Sequence, residues 1–501
     1  MGIVFRQSIK TSLVIFTGAF LGTIIMFLSN HFIDKQSLGF ARNLTNVALV
    51  LSQFCILGLN STMVVFIHKY TDVRRKLLIT FGILIPLLFA LLATLPFHLL
   101  EPWVLRHFQP DDIPFMRRYY MLIPVFTGLL IMLVLLEQYL GTQMKVAVSS
   151  FMKEVVLRIV NIAIIILFAF GYVSLDFYII STVLIYIIPI VIYLIIASRI
   201  DGFGFSFKFS AFSKPEYKEL LHFSWYHFLL SASITLMGYL DTVAIPLYDH
   251  DGLKSVAVYM TAVFFISFMQ MPSKAMMTPT ITVLAQAIAN NDNDKAKDVF
   301  VRSSINVLLA TTFMAVMILC NIDNALVLMN KGYGQVGLIF LILFIGRYVD
   351  LATGLNDAVL SITNYYKFSF YVSLFMIVIL FVLVKFLIPL YGVYGAAWST
   401  TITLILFNIC KYVFVWKKLD MQPFSMNTIL VLIAGMVTLV AGYYFPNFLK
   451  GKGHMYIYTF VDAALRGGVI VVVYLLMLYW LKPSADLREY IASVRKNKRL
   501  F

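Results

Sequence analysis

Among the ionisable residues within or at the ends of long apolar stretches are Arg158, Lys274, Arg347, Glu137, Glu154, Asp241, Asp350 and Asp357. A charge at the centre of a bilayer is held there against several kcal/mol, so it pairs with a counter-charge, faces an aqueous cavity or meets a substrate. Arg347 and Asp350 are three residues apart and share one helix face, with Asp357 two turns further on. Two readings fit them. The pair neutralises itself and locks its helix to a neighbour, or the arginine meets a substrate phosphate while the aspartate trims its affinity. Lys274 stands between Pro272 and Pro279, too deep to snorkel to the surface. It reads as cavity lining, against a private ion pair with Asp350 or Asp241. Asp241 reads equally as a gate at the outer side or as an interfacial residue. Glu154 and Arg158 are four apart, with Glu137 ending the preceding stretch. These three form either a structural ion-pair cluster or a gate at the inner side. His222 and His227 could titrate near neutral pH or serve as ordinary interface residues.

The elements that must carry these groups follow from composition. Of 501 residues, 61% are hydrophobic and 13% charged, whereas an average soluble domain has about 25% charged; the mean hydropathy is +0.89. One soluble core could not hide this much apolar surface. Stretches of about 20 apolar residues cross a membrane as helices, and fourteen are found: 11–32, 44–67, 77–100, 119–141, 154–173, 176–198, 220–245, 255–281, 302–322, 335–361, 366–389, 394–416, 425–445 and 461–481. They are apolar on all sides, without the alternation of a barrel strand. The expected fold is an all-α polytopic membrane protein with fourteen transmembrane helices.

Lysines and arginines set the orientation. With a cytoplasmic N-terminus, the inside segments take most of the 39 basic residues, among them Lys69, Arg74, Arg75, Lys76, Lys208, Lys214, Lys411, Lys417 and Lys418. The outside segments take few, Arg42 and Arg466 among them. Both termini are therefore expected in the cytoplasm. The net charge of +15 is explained by this bias, and no nucleic-acid partner is expected, because no soluble domain gathers the basic residues into a patch. The end of the chain, Arg488 to Arg499, reads as a basic segment against anionic membrane lipids. Cys55, Cys320 and Cys410 fall within spans and supply neither metal-ligand spacing nor a disulfide framework. No cofactor is expected. The first apolar run is too long for a signal-peptide core.

Spans one to six and seven to twelve keep nearly constant offsets of about 210–225 residues, and Gly39 and Gly252 precede the second span of each half. Equal pacing points to duplication. An even number of spans gives two pseudo-symmetric six-helix bundles in parallel orientation, with a cavity between them. The expected organisation is an N-terminal bundle over 1–200, a cytoplasmic linker at 201–219, a second bundle over 220–420, two additional helices over 421–482 and a basic tail at 483–501. No loop is long enough to fold as a domain.

The stretch Ile388-Pro-Leu-Tyr-Gly-Val-Tyr-Gly-Ala-Ala-Trp-Ser-Thr-Thr401 resembles the glycine turn of the polysaccharide-transporter branch of the multidrug/oligosaccharidyl-lipid/polysaccharide (MOP) flippase superfamily. It falls between spans eleven and twelve, as in that family, and Tyr412 to Phe424 is similar to the family's close. Ser255 to Gln270 with Pro272 and Pro279 resembles its eighth span, although Lys274 between the prolines departs from the pattern. Gly392 allows a tight reversal, and Gly395, Ala396 and Ala397 allow close helix approach. The resemblance implies a transporter and no enzyme, in the bacterial cytoplasmic (inner) membrane. Its implied substrate is a polyprenyl-pyrophosphate-linked oligosaccharide, flipped for polysaccharide or lipopolysaccharide (O-antigen) export. Polysaccharide polymerase and glycosyltransferases are implied as partners. Lys274, Arg347, Asp350 and Arg158 would line a cationic cavity worked by alternating access, and Asp241, Asp357, Glu137 and Glu154 would gate or couple it. The alternatives are a multidrug or cation antiporter of the same superfamily and a membrane-embedded polysaccharide polymerase or ligase.

Overall fold

The computed structural model describes residues 3–329, 332–363, 365–446 and 455–489. The basic tail residues Arg495, Lys496, Lys498 and Arg499 lie outside them. Among the described residues there are helices and no strands, as hydrocarbon demands of a chain that must satisfy its backbone within each segment.

The main helices are α1 (Ile3–Phe32), α2 (Lys35–Ile56), α3 (Leu59–Phe66), α4 (Asp72–Leu99), α5 (Leu122–Thr142), α6 (Val146–Phe151), α7 (Leu157–Ala169), α8 (Leu175–Leu184), α9 (Ile187–Ser198) and α10 (Lys214–Tyr248). There follow α11 (Leu253–Met269), α12 (Met271–Ala289), α13 (Asn293–Val327), α14 (Val336–Ala352), α15 (Asn356–Ile362), α16 (Tyr366–Tyr391), α17 (Val393–Leu419), α18 (Met426–Tyr443) and α19 (Met455–Leu481). Among the described residues ten spans are long and apolar enough to cross a membrane, and twelve if each of two bent pairs counts as one. The pairs are α2–α3, bent by 57°, and α14–α15, bent by 46°. Every stretch expected from the sequence falls on helix, and the count of fourteen is not confirmed among the described residues. The stretch 154–173 begins in a π-helical turn, Met152–Val156, and continues as the 13-residue α7. The stretch 255–281 is interrupted at Gln270 into α11 and α12.

The chain divides into two compact units, Met1–Val258 with Val384–Val393, and Tyr259–Leu383 with Tyr394–Phe501. In the first unit Phe40, Phe126, Leu130, Leu136 and Tyr139 anchor the buried core. Its helices approach at glycines. A Cβ on Gly39 of α2 would fall 1.7 Å from the Leu253 carbonyl oxygen of α11. The α2–α3 break is made by Leu57 and Gly58, both at positive φ (51° and 73°). A side chain on Gly58 would collide with the Ser224 carbonyl of α10 at 2.1 Å, and the Thr62 and Ser224 hydroxyls bond across this contact at 2.6 Å. Gly392 has φ +58° and donates to Ile388 O at 2.7 Å, so the reversal read from the sequence is built on glycine's own conformation.

In the second unit Leu284, Phe300, Val359, Leu360 and Val415 are buried together. Small residues again set the approach of α14 to α17: a Cβ on Gly346 would stand 2.9 Å from Thr401 Cα, and Thr401 Oγ1 donates to Ile342 O at 2.8 Å. At the far end, Ser484 Oγ lies 2.6 Å from Asn306 Oδ1. Arg302 of α13 reaches Asp486 at 3.2 Å and Glu489 at 3.3 Å, holding the start of the C-terminal segment on α13.

Candidate functional site

The densest set of intramembrane charges is in the second unit, on the broken span α14–α15. Arg347 Nη1 bonds Asp350 Oδ2 at 2.9 Å along one helix face, while Arg347 Nε is buried without a hydrogen-bond partner. Three residues on, Thr353 Oγ1 donates to Asp350 O at 2.9 Å. The helix then stops at Gly354, whose φ is +77° and whose absent Cβ would stand 2.2 Å from Ser304 Oγ. Only glycine fits both demands. The chain resumes as α15 with Asn356, 1% exposed and with neither amide atom paired, and then Asp357.

Asp357 Oδ2 accepts from Lys411 Nζ at 2.7 Å. The Lys411 side chain is 0% exposed against 53% for its partner, and its ammonium lies 3.4 Å from the centre of the Phe407 ring. This corrects the sequence expectation, which put Lys411 with Lys417 and Lys418 in an inside segment. Helix α17 runs to Leu419, so Lys411 is two turns inside it. The signal was available: Phe407 and Lys411 are four apart, one face of a helix presenting a ring to a cation.

Two other basic residues assigned to outside segments also sit in helices. Arg42 is two turns into α2 and donates to Ala257 O at 2.6 Å and Asn30 Oδ1 at 3.0 Å. Arg466 is inside α19, its side chain 10% exposed, paired with Asp462 at 3.3 Å and donating to Gly442 O at 2.7 Å. Helix α2 begins before its apolar run and Arg42 travels with it, whereas Arg466 lies within the run 461–481 itself.

Lys274 occupies the first turns of α12, with its side chain exposed and its N–H donating to Gln270 O at 3.1 Å. Asp241 is buried in α10 at 4% exposure, and its Oδ1 accepts from Thr242 N at 2.6 Å. Asn43 of α2 donates to the neighbouring Thr242 carbonyl at 3.2 Å. Arg158 pairs with Glu154 and also donates to Gly18 O of α1, where Gly18 admits α1 against Glu154. Glu137 meets Lys153 at 3.4 Å. Thus the structure joins Arg347 to Asp350 and Arg158 to Glu154. Asp357 is joined to a residue the sequence reading missed. His222 and His227 pack on Tyr226 and Phe223, ring centres 4.9 and 4.3 Å apart.

Outside the spans, one polar clasp joins three segments of the first unit. Asp112 Oδ2 accepts from Leu253 N at 2.9 Å and Oδ1 from Gln36 Nε2 at 2.7 Å. Burial holds its carboxyl above the ordinary value of 3.8, opposed by the Leu253 N–H and the Gln36 amide. Gln109 caps the neighbouring turn by donating to Asp249 O at 3.0 Å. Among the described residues no group of three or more His, Cys, Asp or Glu side chains could hold a metal ion.

Helical spans of this order, broken at glycines and carrying buried cation–carboxylate pairs, describe a polytopic helical membrane protein. The structure is similar to the lipid II flippase MurJ in an inward closed conformation, with a TM-score of 0.71 and 13% identity over 94% of this chain and 98% of that one. It is also similar to an inward-facing multidrug resistance MATE family transporter of the MOP superfamily, at 0.62 and 13% identity over 80% and 94%. A mutant form of the Vibrio cholerae MATE transporter VcmN matches at 0.56 and 12% identity over 83% and 97%. At sequence level the model of the polysaccharide biosynthesis protein family matches residues 4–285, more than half of the chain, and the chain belongs to that family. No individually curated protein matches the sequence.

Proposed function

We propose that this chain flips a polyprenyl-pyrophosphate-linked oligosaccharide across the bacterial cytoplasmic membrane by alternating access, with both termini in the cytoplasm, and that it catalyses no covalent step. The reading is supported above all by one combination: membership of a polysaccharide biosynthesis family in a chain whose fold matches a lipid II flippase over nearly the whole length of both. Lipid II flippase is that protein's activity; for this chain the lipid-linked sugar is an inference.

The physical problem is the head group. A pyrophosphate and several hydroxyls must cross hydrocarbon, and each unpaired polar group there is expensive. Lys274 and Arg347 supply cations for the phosphates. Arg347 retains an unpaired buried Nε beside its bond to Asp350, so it can meet an oxyanion without abandoning the aspartate. The polyprenyl tail needs no protein solvation and stays in lipid. Arg158 is the third cationic candidate, and Asp241, Asp357, Glu137 and Glu154 are the groups through which a gate or an ion gradient would act.

The antiporter alternative needs carboxylates able to take a cation. Asp350 and Asp357 each already hold a basic side chain, which favours an anionic head group over a cationic drug. The deciding experiment is transport of a fluorescent polyprenyl-pyrophosphate oligosaccharide in proteoliposomes, read by access of an external glycosidase. Flipping by the wild type and its loss in a folded K274A/R347A variant support the reading. Wild-type flipping by that variant refutes the cationic role. A protein that expels dyes in a D350N/D357N-sensitive manner and flips no lipid-linked sugar is an antiporter.

A further inference from the structure

The segment joining α9 to α10 carries a phenylalanine at every second position from 203 to 209: Phe203-Gly-Phe-Ser-Phe-Lys-Phe209. Residues 205–208 run without helix or turn, as a strap fastened to the first unit before, within and after the ridge of rings. Before it, Phe203 packs on Tyr139 of α5 with ring centres 5.0 Å apart. Within it, Ser206 N donates to Thr80 Oγ1 of α4 at 2.9 Å. After it, Tyr217 Oη donates to Phe209 O at 2.8 Å, and the buried Phe212 meets Tyr70 with ring centres 4.9 Å apart. Between these fastenings Phe205, Phe207 and Phe209 stay 48%, 64% and 56% exposed.

A row of rings held open to water is an aggregation hazard, and the bond to Thr80 fixes the depth at which these rings lie. Helix α4 is long and apolar enough to cross a membrane. Its apolar run begins at 77, so Thr80 lies about 5 Å along the axis from that boundary, at 1.5 Å per residue. The strap is therefore level with the edge of the hydrocarbon, where backbone outside helices is still hydrated and aromatic rings accumulate. Both helices that it joins expose apolar side chains close to its ends, Ile195 on α9 and Leu221 and Trp225 on α10. A soluble partner would have to reach the rings past the lipid headgroups.

Charge selects the kind of lipid. Arg199, Lys208, Lys214 and Lys218 are exposed, and among the described residues no acid pairs with them. Of the acids on the same stretch, Glu216 and Glu219 already hold Arg74 at 3.1 Å and Lys69 at 3.0 Å. Asp201 is the one acid left against these bases. An apolar ridge with excess positive charge beside it is the pattern of a segment lying on an anionic membrane surface.

We propose that the strap 203–209 anchors the first unit to the membrane interface. Phe205, Phe207 and Phe209 enter the boundary between headgroups and acyl chains at the N-terminal end of α4, and the bases around them hold anionic phospholipid. The anchor goes beyond the flippase reading and uses none of its charged residues.

The test uses the full-length protein in nanodiscs. Tryptophan replaces the most exposed ring in F207W, and its emission is read as the difference from wild type, so that the native tryptophans cancel. Loss of most of that added emission in phosphatidylcholine brominated near the headgroup end of its chains, with little quenching by acrylamide in the buffer, supports insertion. Quenching by acrylamide and none by the brominated lipid overturns the anchor and leaves the rings as a surface for a soluble partner. The lipid preference is read at low salt from the melting temperature. Replacing part of the phosphatidylcholine by phosphatidylglycerol should raise it in wild type and much less in K208Q/K214Q/K218Q. An equal gain in that variant, or no gain in wild type, overturns the choice of anionic lipid. K208Q alone, at an exposed position, carries the same comparison with a smaller difference where the triple variant folds poorly. No readout involves a lipid-linked sugar, so failure here is distinct from failure of the transport assay.

Discussion

The pair between Lys411 and Asp357 is asymmetric, and mutation should expose the asymmetry. Lys411 is wholly buried whereas the Asp357 side chain is 53% exposed. Removing the acid strands a charge with no exposed surface; removing the base leaves a carboxylate that is half exposed. Breaking a buried pair by deleting one partner costs about 3–5 kcal/mol when the survivor stays buried. Exposed pairs are worth about 0–1 kcal/mol. D357N should therefore destabilise near the low end of the first range, because the amide oxygen and the Phe407 ring 3.4 Å away still offer partial compensation worth up to about 2 kcal/mol. K411M keeps the aliphatic stem volume and should cost less than about 1 kcal/mol. The double variant D357N/K411M should match K411M, giving a coupling that nearly cancels the D357N loss. The assay is the unfolding midpoint of the three variants and wild type, purified in one detergent and followed by intrinsic fluorescence. Equal destabilisation by the two single variants, or a double variant as unstable as D357N, would refute the reasoning from burial.

Three further outcomes are expected. R347Q should reduce flipping at least tenfold in proteoliposomes while the protein stays monodisperse, since the Asp350 contact can be kept by the amide but the charge toward phosphate cannot; unchanged flipping removes Arg347 from the substrate path. G39A should lower yield and melting temperature sharply, because its Cβ would sit 1.7 Å from the Leu253 carbonyl and α2 must separate from α11; a neutral G39A disproves that approach. Burial raises the Asp112 carboxyl above its ordinary 3.8, so the native state binds this proton more tightly than the unfolded one. Its contribution to stability grows as pH falls through the raised value toward 3.8 and is lost above it. Wild type should therefore gain stability relative to D112N between neutral pH and about pH 4, read as the difference in their melting temperatures, and parallel profiles would show that Asp112 is not the group responsible.

How far the sequence was legible depends on whether a residue acts through its own segment or through a neighbour. Apolar runs of membrane length are intrinsic to the segment, and all of them became helix. Gly392 likewise announced its reversal, because a positive φ is a local property. The break at Gly354 was not foreseen, since what excludes a side chain there is Ser304 on another helix. The count of fourteen spans is not confirmed among the described residues. The π-helical turn at 152–156 joins α6 to α7 in unbroken helical backbone, and α11 and α12 meet at Gln270, itself in the helical region, so these stretches are continuous in structure as in hydropathy although neither is one long regular α-helix.

The charged residues show this most sharply. Orientation was read by assigning basic residues to loops, and that step hides any base near the end of a run. Arg42, Lys411 and Arg466 were all lost in this way: Arg42 belongs to a helix that begins before its apolar stretch, and Lys411 and Arg466 lie inside the stretches 394–416 and 461–481 themselves. Their partners lie on other segments in two of the three cases: Ala257 O for Arg42 and Asp357 for Lys411. For Arg466 the clue was local, Asp462 one turn earlier. A basic residue with an acid or an aromatic ring three or four positions before it, at the margin of a span, is thus better read as part of the helix than as its anchor. Arg347 escaped the same loss only because its stretch extends well beyond it on both sides. Applied to this chain, that rule recovers Lys411 through Phe407 and Arg466 through Asp462, and it leaves Arg42, whose recognised contacts are carbonyl and amide oxygens, as the one that only the fold could supply.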